Sequence, residues 1–456
     1  MRAYGESIPC FGTYDIRGRV PDELNEGLAY DIARAYAAFV RPRGPVAVGQ
    51  DVRLSSPAIA EAVIRGLNDA GVDTLDIGLC GTEMVYFAAA QPGRGGGVMV
   101  TASHNPPEYN GMKLVREQAI PVSADTGLRD IESMVLGGGL TMSSEKGVSR
   151  TEDVTPDFVD KVLSFIDADS HAPLHIVANS GNGCAGPILD VLAERLPLRL
   201  AFVDHEPDGT FPHGVPNPIL RERRARTVDA VRERSPDLGV AWDTDFDRCF
   251  FFDEKGDFVE SYYLVGLLAQ RMLQDAPGNK IVHDPRLVWN TLDIVRAAGG
   301  TAVQCRSGHT FIKDTMRTED ALYGGEMSAH HFFRDFYYCD SGMVPWLIVA
   351  SVLTESGRSM SDLVGEREEM FPCSGEFNEE VADQEATIAR VREHYEPQRP
   401  HIDETDGLSI TFDGQWRFNI RASGTEPLLR LNVESHGSRE LLQEKTGEVL
   451  ALIRAS

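Results

Sequence analysis

A chain of 456 residues, 42% hydrophobic and 25% charged, has the composition of an ordinary globular protein and is long enough for about three or four domains. Its formal net charge of −26 excludes nucleic acid and anionic membrane as partners. Any anionic small molecule it handles must therefore be met by Arg and Lys gathered locally, against the global charge.

Seven cysteines (Cys10, Cys80, Cys184, Cys249, Cys305, Cys339, Cys373) are scattered without a CxxC pair, which predicts buried free thiols in a reducing cytoplasm. Met1–Pro9 carries charge and no apolar segment, so no signal peptide is expected. The longest apolar run, Met343–Leu353, is too short to cross a bilayer.

In chain order, Tyr14-Asp15-Ile16-Arg17-Gly18 reads as a loop. Leu24, Leu28, Ile32, Tyr36 and Val40 recur every fourth residue and predict an amphipathic helix. Val46–Gly49 reads as a strand, and Ser55 or Ser56 as the cap of a helix with Pro57 in its first turn. Asp73–Leu79 reads as a strand, Thr82–Ala90 as a helix and Gly97–Val100 as a buried strand. Asn110-Gly111 is a two-residue turn signal, after which Met112, Leu114 and Val115 resume the strand pattern. This β-α-β-α-β order predicts a mainly parallel, covered sheet. A helix around Leu128, Ile131 and Val135 closes the first domain, and 137–147 reads as a linker or exposed turn.

A second α/β unit begins near Asp153, with a strand Leu174–Ala178, a tight turn Asn179–Gly183 and a helix Ala185–Leu196. The glycines of that turn do not fit the GxGxxG spacing of a dinucleotide site. Pro207–Pro218 is a long loop rich in Pro and Gly, and strands follow at Leu238–Ala241 and Cys249–Phe252. A third unit, from near Asp257, has a helix Tyr262–Met272, a strand Lys280–His283, a helix Leu287–Ala298 and a strand Thr301–Cys305. The fourth segment, from about Phe371, differs. Ser409–Phe412 and Arg417–Ile420 flank an Asp413-Gly414 turn, Leu428–Val433 follows, and the helix Arg439–Ile453 packs on this antiparallel sheet. The reading is an α/β chain: domains at 1–150, 151–255 and 256–368 with mixed or parallel sheets, and a smaller α+β domain at 369–456, around a central cleft.

Four loops carry chemistry. Ser103, in Thr101-Ala102-Ser103-His104-Asn105-Pro106-Pro107, lies just past a strand end, where ligands bind in parallel sheets; with His104 beside it and Lys113 in reach it is a candidate nucleophile. Asp243-Thr244-Asp245-Phe246-Asp247-Arg248 places three mutually repelling carboxylates on a strand-end loop, and carboxylate oxygens suit Mg²⁺. With Glu254 at the twelfth position the loop mimics an EF-hand, but Arg248 stands where that loop needs glycine, and a strand follows rather than a helix. Arg306 and His309 in Cys305-Arg306-Ser307-Gly308-His309 sit near a helix N-terminus, an anion-binding position. Glu326 and Ser328, two apart on an extended stretch, point the same way and can hydrogen-bond one ligand together. His330 and His331 read as an exposed loop pair, with no clear third ligand for a zinc site. Arg421-Ala422-Ser423-Gly424-Thr425, with Arg430 beyond, offers two guanidinium forks, two hydroxyls and backbone N–H groups to a dianionic phosphate.

These loops together resemble those of the α-D-phosphohexomutases. Thr-Ala-Ser-His-Asn-Pro resembles the family's phosphoserine loop, Asp-Thr-Asp-Phe-Asp-Arg its Mg²⁺ loop with Thr244 in place of glycine, and Ser-Gly-His its Thr-Gly-His. Gly-Glu-Met-Ser resembles its sugar loop and Arg-Ala-Ser-Gly-Thr its phosphate loop, with Gly424 where many relatives have Asn. Met327 resembles the mannose/glucose-type enzymes rather than the glucosamine-type ones, and His330–Phe336 followed by Cys339–Gly342 looks nearest to bacterial phosphomannomutases. The resemblance implies that phosphorylated Ser103 exchanges its phosphate with a hexose phosphate through a hexose 1,6-bisphosphate. One Mg²⁺ would be held by Asp243, Asp245, Asp247 and the phosphate on Ser103. Arg17, His104, Lys113, Arg248 and His309 would handle protons and charge. Tyr14, Glu326 and Ser328 would contact the sugar, while Arg421, Ser423, Gly424, Thr425 and Arg430 grip the far phosphate. It further implies mannose 6-phosphate and mannose 1-phosphate as substrates, with glucose phosphates as the alternative, and a monomer or homodimer. The rivals are a metal-dependent phosphatase with a serine nucleophile and a sugar-phosphate-binding scaffold. The second phosphate loop argues against the first, and intact Ser103 and aspartates against the second.

Overall fold

The computed structural model describes Gly5 and residues 7–168, 172–422 and 428–455. The chain divides into two compact units, Met1–Asp257 with His330–Ser356, and Phe258–Ala329 with Gly357–Ser456.

The first unit opens with β1 (Ile16–Arg19), β2 (Val46–Gln50), β3 (Thr74–Leu79), β4 (Gly96–Val100), β5 (Tyr109–Arg116) and β6 (Ser149–Thr151), ordered β1-β5-β4-β2-β3-β6. β2 is parallel to β3 and β4, while β5 runs antiparallel to β4 and β1. The helix Glu26–Val40 starts where the Asn25 side chain accepts from Leu28 N at 3.0 Å, and buries Leu28, Ile32 and Tyr36. The helix Ser56–Asp69 packs beside it. Ser55 is that helix's N-cap residue, but makes no side-chain capping bond, and the Ser56 hydroxyl donates to Asp51. Thr82–Ala90 is helical as expected, and α-helix Leu128–Gly137 covers the same core.

Two expectations fail here for one reason. Arg17 lies in a strand rather than a loop, and Asn110-Gly111 is inside β5 rather than at a turn, because β1 and β5 pair, with Arg17 opposite Gly111 and Gly18 opposite Asn110. The Asn110 amide is held by the hydroxyls of Ser55 and Ser56 at 2.8 and 2.9 Å, so it is not available to shape a turn. Gly111 is required by close approach: a Cβ there would stand 2.1 Å from the Ile16 carbonyl oxygen.

A second sheet of the first unit comprises β7 (His175–Asn179), β8 (Arg199–Val203), β9 (Leu238–Trp242) and β10 (Cys249–Phe252) in the order β10-β9-β7-β8. β7 is parallel to β8 and β9, and β10 antiparallel to β9. A short β11 (Phe258–Val259) leads into the second unit, where β12 (Lys280–His283) pairs in parallel with β13 (Thr301–Gln304) and β14 (Tyr323–Gly325). The chain then returns to the first unit for the antiparallel pair β15 (His331–Phe333) and β16 (Cys339–Asp340) and the helix Met343–Ser356. That helix is apolar because it is buried nearly all round; among the described residues no helix is long and apolar enough to cross a membrane.

The C-terminal sheet is wholly antiparallel: β17 (Cys373–Glu380), β18 (His401–Asp403), β19 (Leu408–Phe412), β20 (Trp416–Ala422) and β21 (Leu428–Ser435), ordered β17-β21-β20-β19-β18, with the helices Gln384–Tyr395 and Arg439–Arg454 against it. A fully buried Arg417–Glu434 pair fastens it to the 285–289 segment. Arg417 donates to the carbonyls of Pro285 and Arg286, and Glu434 accepts from Val288 N at 2.7 Å. All seven cysteines are free thiols, six of them buried.

Gly111→Ala is expected to lower folding stability by about 1–3 kcal/mol, the cost of overpacking a strand contact that cannot widen locally. The shift of the thermal or urea midpoint measures it, and an unchanged midpoint would show that β1 yields freely.

Candidate active site

Strand order sets where the chemistry collects. In the first sheet the chain goes from β2 to β3 on one side and then to β4 on the other, so the crevice beyond the C-ends of β2 and β4 is a topological switch point, the usual ligand position in such sheets. Asp51-Val52-Arg53 leaves one strand there and Thr101-Ala102-Ser103 the other. The second sheet repeats the logic at β7 and β9, and Asp243–Asp247 follows β9.

Ser103 is buried and adopts a left-handed backbone at φ 48°, a conformation that costs a non-glycine residue about 1 kcal/mol or more unless its surroundings impose it. Its N–H donates to Thr101 Oγ1 at 2.8 Å. Its hydroxyl donates to Asp243 Oδ2 at 2.9 Å, with His104 Nδ1 at 3.2 Å and Arg248 Nη2 at 3.4 Å. Arg248 is itself anchored on Asp243 Oδ2, through Nε at 2.9 Å and Nη2 at 2.7 Å, and also touches His104 Nδ1. Burial first, and then the Arg248 and Arg17 charges, hold the His104 imidazole well below its usual pKa, so it is neutral. Arg17 forks onto Asp15 and reaches Asn105 Oδ1 at 2.7 Å, while Tyr14 stands half-buried in the segment just before β1. The structure thus brings Ser103, His104, Arg17, Arg248 and the three aspartates together.

The aspartate loop is locked from several sides. Phe246 is fully buried with φ 41°; a Cβ on Gly81 would strike its ring, and one on Gly342 its carbonyl oxygen. Thr244, where the family pattern has glycine, is buried and its carbonyl accepts from Cys184 N at 2.8 Å. Thr82, at the N-terminus of its helix, donates its N–H to the Asp245 backbone carbonyl at 3.0 Å and its hydroxyl to the Asp245 carboxylate, where the helix dipole favours a negative charge. Lys113 Nζ donates to Asp245 Oδ2 at 2.7 Å and also to Asp247 Oδ2. Burial works against its charge, but the two carboxylates outweigh it, so Lys113 is held as an ammonium ion above its ordinary pKa. The two aspartates divide: burial and the neighbouring Asp245 charge push Asp247 up, while Asp245, though equally buried, is held down by Lys113.

Each aspartate uses Oδ2 for these contacts and leaves a buried Oδ1 without a hydrogen-bond partner. The three carboxylates lie close enough to share one ion, and three orphaned hard oxygens fit a divalent cation. The antiparallel pairing of β10 with β9 excludes a helix after this loop, and with it an EF-hand.

Sequence reading missed several neighbours. Thr82 carried no signal beyond a helix start. His330 and His331 are not an exposed pair: His331 is buried in β15, and His330 stands 3.0 Å from Asp340, where Asp247, His330 and Asp340 form a further group able to share an ion. The return of the chain to the first unit puts them there, which no local pattern reveals.

The remaining candidates belong to the second unit. Glu326 and Ser328 are not on an extended stretch; Ala329 N donates back to the Glu326 carbonyl in a turn after β14, with Ala329 at φ 68°. The two side chains still meet, Ser328 Oγ donating to Glu326 Oε2 at 3.3 Å. Glu326 Oε1 accepts from Gly308 N at 2.6 Å, which joins the turn to the N-terminus of the helix His309–Glu319 and to His309, its first residue. Arg306 is exposed and stacks over the Phe311 ring at 4.5 Å. Asp406 accepts from Ser307 N at 3.1 Å and from Arg421 at 3.3 Å, and so ties the same helix terminus to the C-terminal sheet. Arg421 and Arg430 face each other across β20 and β21, a like-charge pairing that the Asp406 carboxylate beside Arg421 offsets. Ser423, Gly424 and Thr425 lie outside the described residues. Arg286, which the sequence reading did not single out, is buried here; it donates to Asp284, whose other bond fixes Met327 N at 2.9 Å.

Four family models cover the chain in order: phosphoglucomutase/phosphomannomutase alpha/beta/alpha domain I at residues 9–138, domain II at 156–256, domain III at 260–371, and the C-terminal domain at 376–452. A protein of Xanthomonas campestris pv. campestris strain B100, described as "Phosphohexose mutases", is 55% identical over 448 residues, covering 98% of this chain and 100% of its own. The "Phosphomannomutase" of Salmonella montevideo is 51% identical over 456 residues, with 98% and 100% covered. The crystal structure of a phosphoglucomutase/phosphomannomutase family protein from Burkholderia thailandensis superposes with a TM-score of 0.89 at 27% identity, over 99% of this chain and 98% of that one. The chain belongs to the phosphoglucomutase/phosphomannomutase family.

Proposed function

We propose that the protein is a cytoplasmic phosphomannomutase, interconverting mannose 6-phosphate and mannose 1-phosphate. The observation that carries this reading is the Ser103 hydroxyl 2.9 Å from Asp243, beside three carboxylates with orphaned oxygens. The phosphomannomutase description of relatives near half identity over the full chain supports the choice of hexose.

Ser103 carries the phosphate. It passes the phosphoryl group to the free hydroxyl of the hexose phosphate, the P–O bond to serine breaking as the new one forms and the hydroxyl proton leaving to a base of the protein. The resulting 1,6-bisphosphate turns end over end, and its other phosphate returns to Ser103. Mg²⁺ on Asp243, Asp245 and Asp247 would neutralise charge on the transferring group. Arg248, anchored on Asp243, holds a guanidinium over the serine oxygen, and Lys113, fixed as a cation, offsets the carboxylates. His104, being neutral, can accept a proton or a hydrogen bond at Nδ1. Arg17 orients the loop through Asn105, and Tyr14 lines the sugar's approach. Glu326, Ser328 and His309 bind the sugar in either orientation. Arg421 and Arg430, with Ser423, Gly424 and Thr425, hold the phosphate that does not react.

Ser103→Ala is expected to lower kcat by about 10⁴-fold or more, as loss of a covalent nucleophile does, while hexose phosphate still binds by calorimetry. Arg421→Ala is expected instead to raise KM by about 10- to 100-fold, the loss of charge-assisted hydrogen bonds. Equal effects of the two on KM would refute this division. Turnover on mannose 1-phosphate against glucose 1-phosphate tests the hexose, and inorganic phosphate as the main product would favour a phosphatase.

Removal of divalent cation with a chelator is expected to lower the melting temperature of the wild type and to abolish turnover. Asp247→Asn, which relieves part of the repulsion, should show a smaller melting shift between chelated and Mg²⁺-saturated protein. An equal shift in both would place the ion elsewhere.

A further inference from the structure

Four carbonyl groups of the loop that presents Ser103 point inward at one side chain. Arg53 Nη2 donates to the carbonyls of Ser103 at 2.6 Å and Asn105 at 2.7 Å, and Nη1 to those of Pro106 at 2.7 Å and Tyr109 at 2.9 Å. The guanidinium is fully buried, with Asp51 Oδ2 3.2 Å from Nε. Asp51 in turn accepts from Arg53 N and from Thr101 Oγ1, and Thr101 Oγ1 receives the Ser103 N–H, so both edges of Ser103 are held from one Asp–Arg pair.

The long Pro/Gly-rich loop, to which the chemistry above assigns nothing, closes over this pair. The Phe211 ring covers the Arg53 guanidinium at 5.4 Å and is 4% exposed. Gly209 packs so tightly on the Asp51–Arg53 segment that a Cβ would stand 2.0 Å from the Val52 carbonyl oxygen. At its start the loop is tied to the turn after β7, Asp208 N donating to the Asn182 carbonyl at 2.9 Å. That same turn supports the aspartate loop, through Cys184 N on the Thr244 carbonyl at 2.8 Å. One strut therefore runs from the aspartate loop through 182–184 and 207–212 to Arg53, and from Arg53 to Ser103.

We infer that Arg53, capped by Phe211, is a positioning residue that fixes the Ser103 oxygen against Asp243 for phosphoryl transfer; this rests on the mutase reading above. Four convergent carbonyl oxygens repel one another, and only a planar fork with several donors satisfies all four. A lysine ammonium is a point charge with three donors and cannot span them. Covering the guanidinium with an aromatic ring excludes water that would compete for those carbonyls and adds a cation–π contact. Without this hold the left-handed Ser103 relaxes, and a displacement of the reacting oxygen by a fraction of an ångström is enough to slow an in-line transfer.

The test uses the full-length enzyme, with Arg53→Lys and Phe211→Leu measured beside the wild type. Arg53→Lys should lower kcat about 100-fold, the loss expected for a misplaced reacting group, and Phe211→Leu about 10-fold, with KM for the hexose phosphate changed less than about twofold. The second readout is the fate of ³²P on the serine in a single turnover. A displaced phosphoserine should lose a larger share of label as inorganic phosphate, which a mere loss of stability would not produce. Folded variants with wild-type kcat and label transfer would overturn the inference, as would a rise in KM matching the fall in kcat. Should Arg53→Lys fail to fold, Phe211→Leu decides alone. A wild type that releases phosphate instead of isomerising defeats the mutase reading itself; a wild type that isomerises beside equally active variants defeats only this inference.

Discussion

Asp243, Asp245 and Asp247 are buried within reach of one ion. Two like charges at about 4 Å repel by about 4 kcal/mol even at an effective dielectric of about 20. Most of the first unit's local construction answers that repulsion. Lys113 and the helix beginning at Thr82 neutralise Asp245 and Asp247, while Arg248 neutralises Asp243. These partners occupy one oxygen of each carboxylate and leave the others to a cation. The loop is incompletely satisfied by its own protein, and that residual demand is what suits these three carboxylates to hold a metal ion.

The same arrangement explains how a protein of net charge −26 can handle phosphates. Positive charge is concentrated rather than abundant. Arg248 reaches Ser103, Arg17 the Ser103 loop at Asn105 and Lys113 the aspartates, while Arg421 and Arg430 stand opposed on neighbouring strands. Like charges placed that close need compensating anions, and Asp406 supplies one beside Arg421.

Much of the site was legible. Asp243, Asp245 and Asp247 announce themselves by alternating carboxylates on a strand end, and Ser103 by its place after an apolar strand. Helices with a strong period, such as Glu26–Val40, and buried strands such as Lys280–His283 were also readable, because one-dimensional periodicity reports burial directly. The strand Cys373–Glu380 was not. It is an edge strand, with charged and glycine residues where a central strand would alternate apolar ones. Asn110-Gly111 misled for the opposite reason: a strong local turn signal was overruled by pairing with a strand more than ninety residues away.

The sequence by itself determined the chemical inventory: a hydroxyl on a constrained loop, three carboxylates, a helix N-terminus with a histidine, and paired arginines near the C-terminus. Those are properties of residue type and short-range spacing, which survive in one dimension. Only the tertiary structure decided which groups meet, and which cation each carboxylate takes. Lys113 and Thr82 reach Asp245 across 132 and 163 residues, and Arg53 grips the Ser103 loop from 50 residues away. Such contacts depend on which strands become neighbours and where their C-ends open. That is settled by the packing of whole sheets, and no local pattern encodes it.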